Sequence, residues 1–341
     1  MRAAVLLGKE SIRVEELPES PLKPGEVRVR IRAALTCGTD LKVYRRGYHA
    51  RMFTPPCTFG HELAGVISEV HAQTPGWSVG DAVVPANSAP CGDCPRCHGG
   101  QPNLCDDLLF LNGAYAESIV VPARIAASNL LRLPAGMEFV DAALTEPLAC
   151  VVQGLDDLRI QPGERVLVLG AGPIGLMALA LARAAGADVS VVGRGGPRLE
   201  RARALGAVRT WQNHATEGIE APGLDAEPPD VVFEAVGKPS VWEAAIRLVR
   251  KGGRVNLFGG CPAGSLVQID TTRVHYAALT LLASFHHTPG TIRRALSQIQ
   301  SGVIRATDFV DATVPLSGLP GRFQEMAIGN QAVKTLVEVD R

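Results

Sequence analysis

The chain has 341 residues, room for about two domains at roughly 150 residues each. Its 34 Lys+Arg balance 34 Asp+Glu for a formal net charge of +0, which argues against a broad nucleic-acid or anionic-membrane surface, since either needs a basic excess. Hydrophobic residues at 46% and charged residues at 20% exclude a disordered chain.

The apolar run 1–7 ends at Gly8-Lys9-Glu10, too short for a signal-peptide core. The longest apolar stretch, 174–182, stops at Arg183, far short of a membrane span. No membrane association is expected, and the cytoplasm is the expected compartment. Residues 27–33 read Val-Arg-Val-Arg-Ile-Arg-Ala, the alternation of a half-buried strand. Residues 63–70 and 82–85 are further short apolar runs, and helical periodicity is scarce before 140. From about 140 the pattern changes. Residues 141–155 are helix-like and 160–164 form a turn. Strands are then expected at 165–169, 188–192, 230–235, 254–259 and 279–285, alternating with helices at 173–185, 197–205 and 240–250. Gly186 and Gly206 stand where glycine closes a helix. A helix at 290–300 and a strand at 333–339 follow. This βαβ alternation predicts an α/β fold, with a doubly wound parallel sheet behind a β-rich first part.

The strand 165–169 runs straight into Gly170-Ala171-Gly172-Pro173-Ile174-Gly175, G-x-G-x-x-G between strand and helix. Gly170 permits the tight turn, Gly172 lets the backbone approach a pyrophosphate, and Gly175 lets helix and strand pack closely. The free N–H groups and dipole of the following helix then face the phosphates. The second strand ends in Gly193-Arg194-Gly195-Gly196-Pro197-Arg198. A carboxylate is usual here for a free ribose 2′-hydroxyl, and none is present. Arg194 and Arg198 suit a 2′-phosphate, and Gly193 removes a side chain that would repel it. NADP is therefore expected over NAD. Glu234, at the end of a later strand, and Phe285, after the last one, are further candidate cofactor residues.

Eight cysteines stand at 37, 57, 91, 94, 97, 105, 150 and 261. Cys91, Cys94, Cys97 and Cys105 have C-x2-C-x2-C-x7-C spacing, which suits a closed structural zinc site of four thiolates. A bacterial ferredoxin run shares the first three but places its fourth cysteine x3 away, before proline. Elsewhere Cys37 and His61 offer one sulfur and one nitrogen, and Glu62 or Glu146 an oxygen, toward the three ligands of a catalytic zinc.

Taken together, Cys37-Gly38-Thr39-Asp40, Gly60-His61-Glu62, the four-cysteine loop, Glu146-Pro147-Leu148 and Gly170 to Gly175 resemble the zinc-dependent medium-chain alcohol dehydrogenases, within them the sorbitol (polyol) and threonine dehydrogenase branch. The resemblance implies a GroES-like catalytic domain from 1–150 and 290–341, carrying the structural zinc loop 91–105, with a Rossmann domain at 151–289 between them. It implies that Cys37, His61 and a glutamate hold catalytic zinc, Glu146 ranked just above Glu62, which lies near the metal or exchanges with water. The expected chemistry is hydride transfer between NADP(H), or NAD(H), and a polyol, sugar or other secondary alcohol or its ketone, in the cleft between the domains. Thr39 would pass the alcohol proton outward, Glu62 would assist, and the route would continue near Lys42, where many relatives carry histidine. Tyr44, Arg45, Arg46, Tyr48 and His49 form a cationic, hydroxyl-rich segment suited to a polyol, and His286 and His287 follow Phe285 toward the same region. L-Threonine 3-dehydrogenase is the alternative activity; a non-catalytic dinucleotide-binding protein is a remoter one. A homo-oligomer, tetramer or dimer, is expected.

Overall fold

The computed structural model describes residues 1–49, 51–329 and 332–339. The chain forms two compact units, residues 1–149 with 288–341, and residues 150–287.

The first unit is built on a seven-stranded sheet. Its order is Leu130–Arg132, Ala82–Pro85, Glu62–Val70, Val27–Leu35, Lys334–Glu338 and Val310–Pro315, with Ser118–Val121 also paired to Val27–Leu35. The alternation at 27–33 becomes the long strand Val27–Leu35, whose Val27, Val29 and Ile31 enter the core. A smaller sheet sets Arg2–Gly8 between Ser11–Glu16 and Cys57–Thr58. Two registers and one backbone hydrogen bond matter for chemistry. Leu35 stands opposite both Glu62 and Leu336, and the Thr36 N–H donates to the Thr335 carbonyl at 3.0 Å. Segments from the start, the first third and the end of the chain therefore meet at one strand end.

Short helices interrupt this unit where helical periodicity was scarce: Gly38–Arg46, Pro95–His98 and Ala123–Ser128. The first has a box at its start. The Cys37 sulfur accepts from the Thr39 N–H at 3.4 Å, and the Asp40 carboxylate accepts from the Cys37 N–H at 3.2 Å. The helix expected at 141–155 is two, Phe139–Ala142 and Thr145–Leu158.

The second unit is a six-stranded parallel sheet in the order Arg209–Gln212, Asp188–Gly193, Arg165–Leu169, Val231–Glu234, Arg254–Leu257, Thr280–Leu282. Counted along the chain this is 3-2-1-4-5-6, the doubly wound dinucleotide order, whose reversal point falls beside Arg165–Leu169. Val166 to Leu169 and Val231 to Glu234 are all buried, as a strand covered on both faces requires. The helices Pro173–Ala184, Gly196–Ala204 and Pro239–Leu248 all carry proline at the first turn, where its missing N–H costs nothing. No helix among the described residues is long and apolar enough to cross a membrane.

Candidate active site

The register at Leu35 delivers Cys37 at the mouth of one strand and His61-Glu62 at the start of its neighbour. Ligand atoms of Cys37, His61 and Glu62 all lie within 4.8 Å of one another. Cys37 caps the helix Gly38–Arg46, a position that favours an anionic ligand atom. His61 is 4% exposed, and its Nδ1 lies 2.9 Å from the Asp40 carboxylate. With Nδ1 so committed, Nε2 is the nitrogen left for a metal, the arrangement in which a carboxylate fixes tautomer and ring orientation. Burial pulls the His61 pKa down, but the charges of Asp40 and Cys37 outweigh it and hold it well above the usual value. Asp40 is itself buried, and its other oxygen accepts from the Tyr115 hydroxyl at 2.5 Å. Gly60 is needed here: its φ is +88°, and a Cβ would meet the Tyr115 ring at 2.7 Å.

Of the two carboxylates weighed as third ligand, the structure brings Glu62 into the group and leaves Glu146 outside it. Glu62 is fully buried, and its Oε2 accepts from Lys334 Nζ at 2.5 Å. Its Oε1 has no hydrogen-bond partner among the described residues. A buried, unpartnered carboxylate oxygen beside a thiol and an imidazole is what a hard or borderline divalent cation would satisfy. Burial raises the Glu62 pKa, against the opposing charges of Lys334 and His61. Glu146 is 6% exposed, and burial brings its carboxyl up to about 7, opposed by His61 and reinforced by Glu62.

Thr39 is half-buried in the first turn of the helix, and Lys42 is exposed one turn further on. The segment expected to meet a polyol divides. Tyr44 is a core residue, 3% exposed with its ring 5.4 Å from Phe323, so it is removed from the candidate pocket. Arg45 is tied to the Ala327 carbonyl and Tyr48 is exposed. His49 is half-buried; its Nδ1 accepts from the N–H groups of Arg51 and Met52 at 3.2 and 3.1 Å, and burial followed by the charge of His61 lowers its pKa.

In the four-cysteine loop, the sulfurs of Cys94 and Cys97 are 3.6 Å apart, Cys94 and Cys105 3.9 Å, and Cys91 and Cys97 4.0 Å. A tetrahedron with Zn–S of about 2.3 Å has edges of about 3.8 Å, so these spacings fit one zinc and are far too long for disulfides. N–H groups of Asp93 and Cys94 donate to the Cys91 sulfur, and the Cys91 N–H to that of Cys105, which suits thiolates.

Within the second unit, Gly170, Ala171, Gly172, Gly193, Arg194 and Arg198 line a cavity of about 240 Å³. Gly175 lies beneath it, where a Cβ would strike the Gly170 carbonyl oxygen at 1.8 Å. Gly193 has a packing reason as well as the electrostatic one, since a Cβ there would come within 2.5 Å of the Ala171 Cβ. Arg194 donates to the carbonyl groups of Ala215 and Thr216 and so ties down the loop at the cavity's edge. Lys238, Asn213 and Thr216 also line it; all three escaped the sequence reading because no fingerprint covers them. No acidic side chain lines the cavity among the described residues. Pro173, Ile174, Glu234 and Phe285 do not line it either. Glu234 instead braces the neighbouring loops: Oε1 accepts from the N–H groups of Val236 and Gly237 at 2.7 and 2.8 Å, and Oε2 from Gly259 at 3.2 Å. Phe285 is 44% exposed, with its ring 5.6 Å from His286; His287 is 2% exposed.

A doubly wound dinucleotide unit combined with a β-rich unit carrying a Cys-His-Glu group and a four-thiol site defines a metal-assisted, nicotinamide-linked dehydrogenase class. Comparison with known proteins agrees. Residues 23–134 match the alcohol dehydrogenase GroES-like domain, and residues 173–301 the zinc-binding dehydrogenase family. The chain is 34% identical to D-altritol 5-dehydrogenase of Agrobacterium fabrum, over 93% of each chain. It is 30% identical to 2-dehydro-3-deoxy-L-galactonate 5-dehydrogenase of Pseudoalteromonas atlantica, over 99% of this chain and 98% of that one. A crystal structure from Sinorhizobium meliloti, described as a zinc-binding dehydrogenase bound to NADP, superposes with a TM-score of 0.89 at 30% identity, over 99% of both chains. The chain belongs to the zinc-dependent medium-chain alcohol dehydrogenases and is an oxidoreductase.

Proposed function

We propose that the protein interconverts a secondary alcohol of a polyol or sugar derivative and the corresponding ketone, with NADP(H) as the hydride carrier. The observation that carries this reading is the buried group of Cys37, His61 and Glu62, with ligand atoms within 4.8 Å of one another, in a chain of this family. Bound zinc supplies a Lewis acid that favours the alkoxide, and the nicotinamide supplies the hydride acceptor. Cys37, His61 and Glu62 would hold that zinc, and Asp40 and Tyr115 would keep His61 in its ligand tautomer. Thr39 would hold the substrate hydroxyl's proton and pass it outward past Lys42 to solvent. Glu146, buried beside the same group, would lend negative charge when ionised. Cys91, Cys94, Cys97 and Cys105 would hold a second, purely structural zinc.

Residues 1–149 with 288–341 would form the catalytic domain and residues 150–287 the dinucleotide-binding domain. The cation-rimmed cavity at Arg194, Arg198 and Lys238 supports a 2′-phosphate on the cofactor. Polyhydroxylated substrates are supported by the altritol and galactonate-derived substrates in the names of the relatives above. A cytoplasmic location suits four adjacent free thiols. A homo-oligomer is supported by the edge strand Thr280–Leu282, with exposed Leu266, Ile269 and Tyr276 just before it in sequence.

Steady-state assays of hexitols, pentitols, sugar acids and threonine with each nicotinamide cofactor test the reading. Turnover of a polyhydroxylated substrate, with kcat/KM higher for NADP+ than for NAD+, is expected. Arg198→Ala is expected to raise KM for NADP+ about tenfold or more while sparing NAD+, the loss of a charge-assisted bond. Preference for NAD+ would contradict the cofactor assignment, and preference for threonine the substrate class.

A further inference from the structure

His61 and Glu62 are adjacent in sequence but held by different parts of the chain. Asp40 fixes His61 from a neighbouring helix, whereas Glu62 is fixed by Lys334, 272 residues away. The chain has six lysines against 28 arginines, and Lys334, 2% exposed, is the buried one. Its Nζ donates to Glu62 Oε2 at 2.5 Å and to the Thr36 carbonyl at 3.1 Å. Thr36, one residue before Cys37, is itself locked to the Lys334 strand. Its N–H donates to the Thr335 carbonyl, and its hydroxyl accepts from the Thr335 N–H, both at 3.0 Å. The ammonium therefore reaches the Cys-His-Glu group with the rigidity of a sheet register.

A buried ion pair is costly unless its polar atoms are satisfied. A merely structural pair would be expected to satisfy both carboxylate oxygens; here Oε2 is taken and Oε1 has no hydrogen-bond partner among the described residues. The ammonium is also a like charge for any cation held by Cys37 and His61. Both facts point the same way.

We propose that Lys334 is a positioning residue that restricts Glu62 to one ligand oxygen. By retaining Oε2 it leaves Oε1 for the metal, and so keeps a coordination position exchangeable for substrate. The inference rests on the metal-site reading above. Without Lys334 the carboxylate would be free to offer both oxygens, and one repulsive charge would be gone, so the metal would be held more tightly. A lysine with only a structural role would act in the opposite sense, because its loss would slacken Glu62 and speed metal loss.

Zinc release from the holoenzyme to a colorimetric chelator separates these outcomes, with Cys37→Ser identifying the phase that belongs to this site. Lys334→Met is expected to slow that phase about tenfold, similar in size but opposite in sense to the loss of metal affinity that follows removal of a residue that merely orients a metal ligand. In a Glu62→Gln background the same change is expected to have a clearly smaller effect, because only the repulsive charge is lost and there is no second carboxylate oxygen to release. Faster or unchanged release in Lys334→Met, or an equal change in the Glu62→Gln background, would overturn the proposal. If Lys334→Met does not fold, Lys334→Ala removes the donor to Oε2 together with the charge in a smaller side chain. Slower release is again expected, and wild-type or faster release would overturn the proposal. Two wild-type release phases with no Lys334 effect would remove this inference alone, whereas zinc released only from the four-cysteine loop would remove the metal-site reading with it.

Discussion

His61 can present only one ring nitrogen to an ion because Asp40 takes the other, and Asp40 is in turn held by Tyr115. Glu146 shows how the same buried environment sets a charge. Its carboxyl is raised from 4.5 to about 7, chiefly by burial, so the folded chain binds that proton more tightly than the unfolded chain. The associated stabilisation is fully present below about pH 4.5 and is lost as pH rises through about 7. The gap corresponds to about 3 kcal/mol at most. In metal-free protein, thermal unfolding between pH 5 and 8 is expected to show wild type losing stability relative to Glu146→Gln as pH rises. Parallel curves for the two proteins would contradict this. Cys37, His61 and Glu62 were legible in the sequence because short motifs mark them, but that Glu62 and not Glu146 comes within 4.8 Å of both other ligand atoms was not. That proximity depends on the pairing of Leu35 with Glu62, which local spacing does not encode. Tyr115 and Lys334 were invisible for the same reason: they stand 75 and 272 residues from the carboxylates they hold.

The helix Leu319–Gly329 connects the end of the chain to the support beneath the site. Its Phe323 is fully buried, with ring centroids 5.5 Å from Phe59 and 6.1 Å from Tyr115, the residue that holds Asp40. Phe323→Ala is expected to destabilise the protein by about 3–5 kcal/mol, the usual result of emptying an aromatic site in a core. Chemical denaturation followed by fluorescence measures it, and a loss below about 1 kcal/mol would show that the cluster closes around the gap. Elements differ in how far the sequence announces them. The inner parallel strands Arg165–Leu169 and Val231–Glu234 are short runs buried almost throughout, and the helices Pro173–Ala184 and Gly196–Ala204 open with proline and are followed by glycine, so their positions followed to within a few residues; the edge strand Arg209–Gln212, which has no apolar run, was not expected. The helix Gly38–Arg46 buries only Asp40, Val43 and Tyr44, too few to give a periodic apolar stripe. Its one local signal is the box formed by Cys37 and Asp40, the same two residues that build the metal site.

Across the molecule, chemistry is divided between the two units: the groups that could hold a metal in residues 1–149, the dinucleotide fingerprint in residues 150–287. The register that closes the first unit also brings Lys334 from the end of the chain to Glu62, so folding and metal-site assembly depend on the same strand pairing. The two short helical turns of the four-cysteine loop, Pro95–His98 and Pro102–Leu104, bury no residue, and a zinc held by its sulfurs would supply its order, a role separate from turnover. If Cys37 and His61 grip the zinc on which hydride transfer depends, removing the thiolate must remove one zinc and the turnover together. Metal content measured beside turnover and NADPH binding, in wild type and in Cys37→Ser, reads both. About two zinc ions per wild-type chain and about one in the variant are expected, with turnover reduced about a thousandfold or more and NADPH affinity unchanged. A variant that keeps wild-type turnover, or that retains both zinc ions, would contradict this.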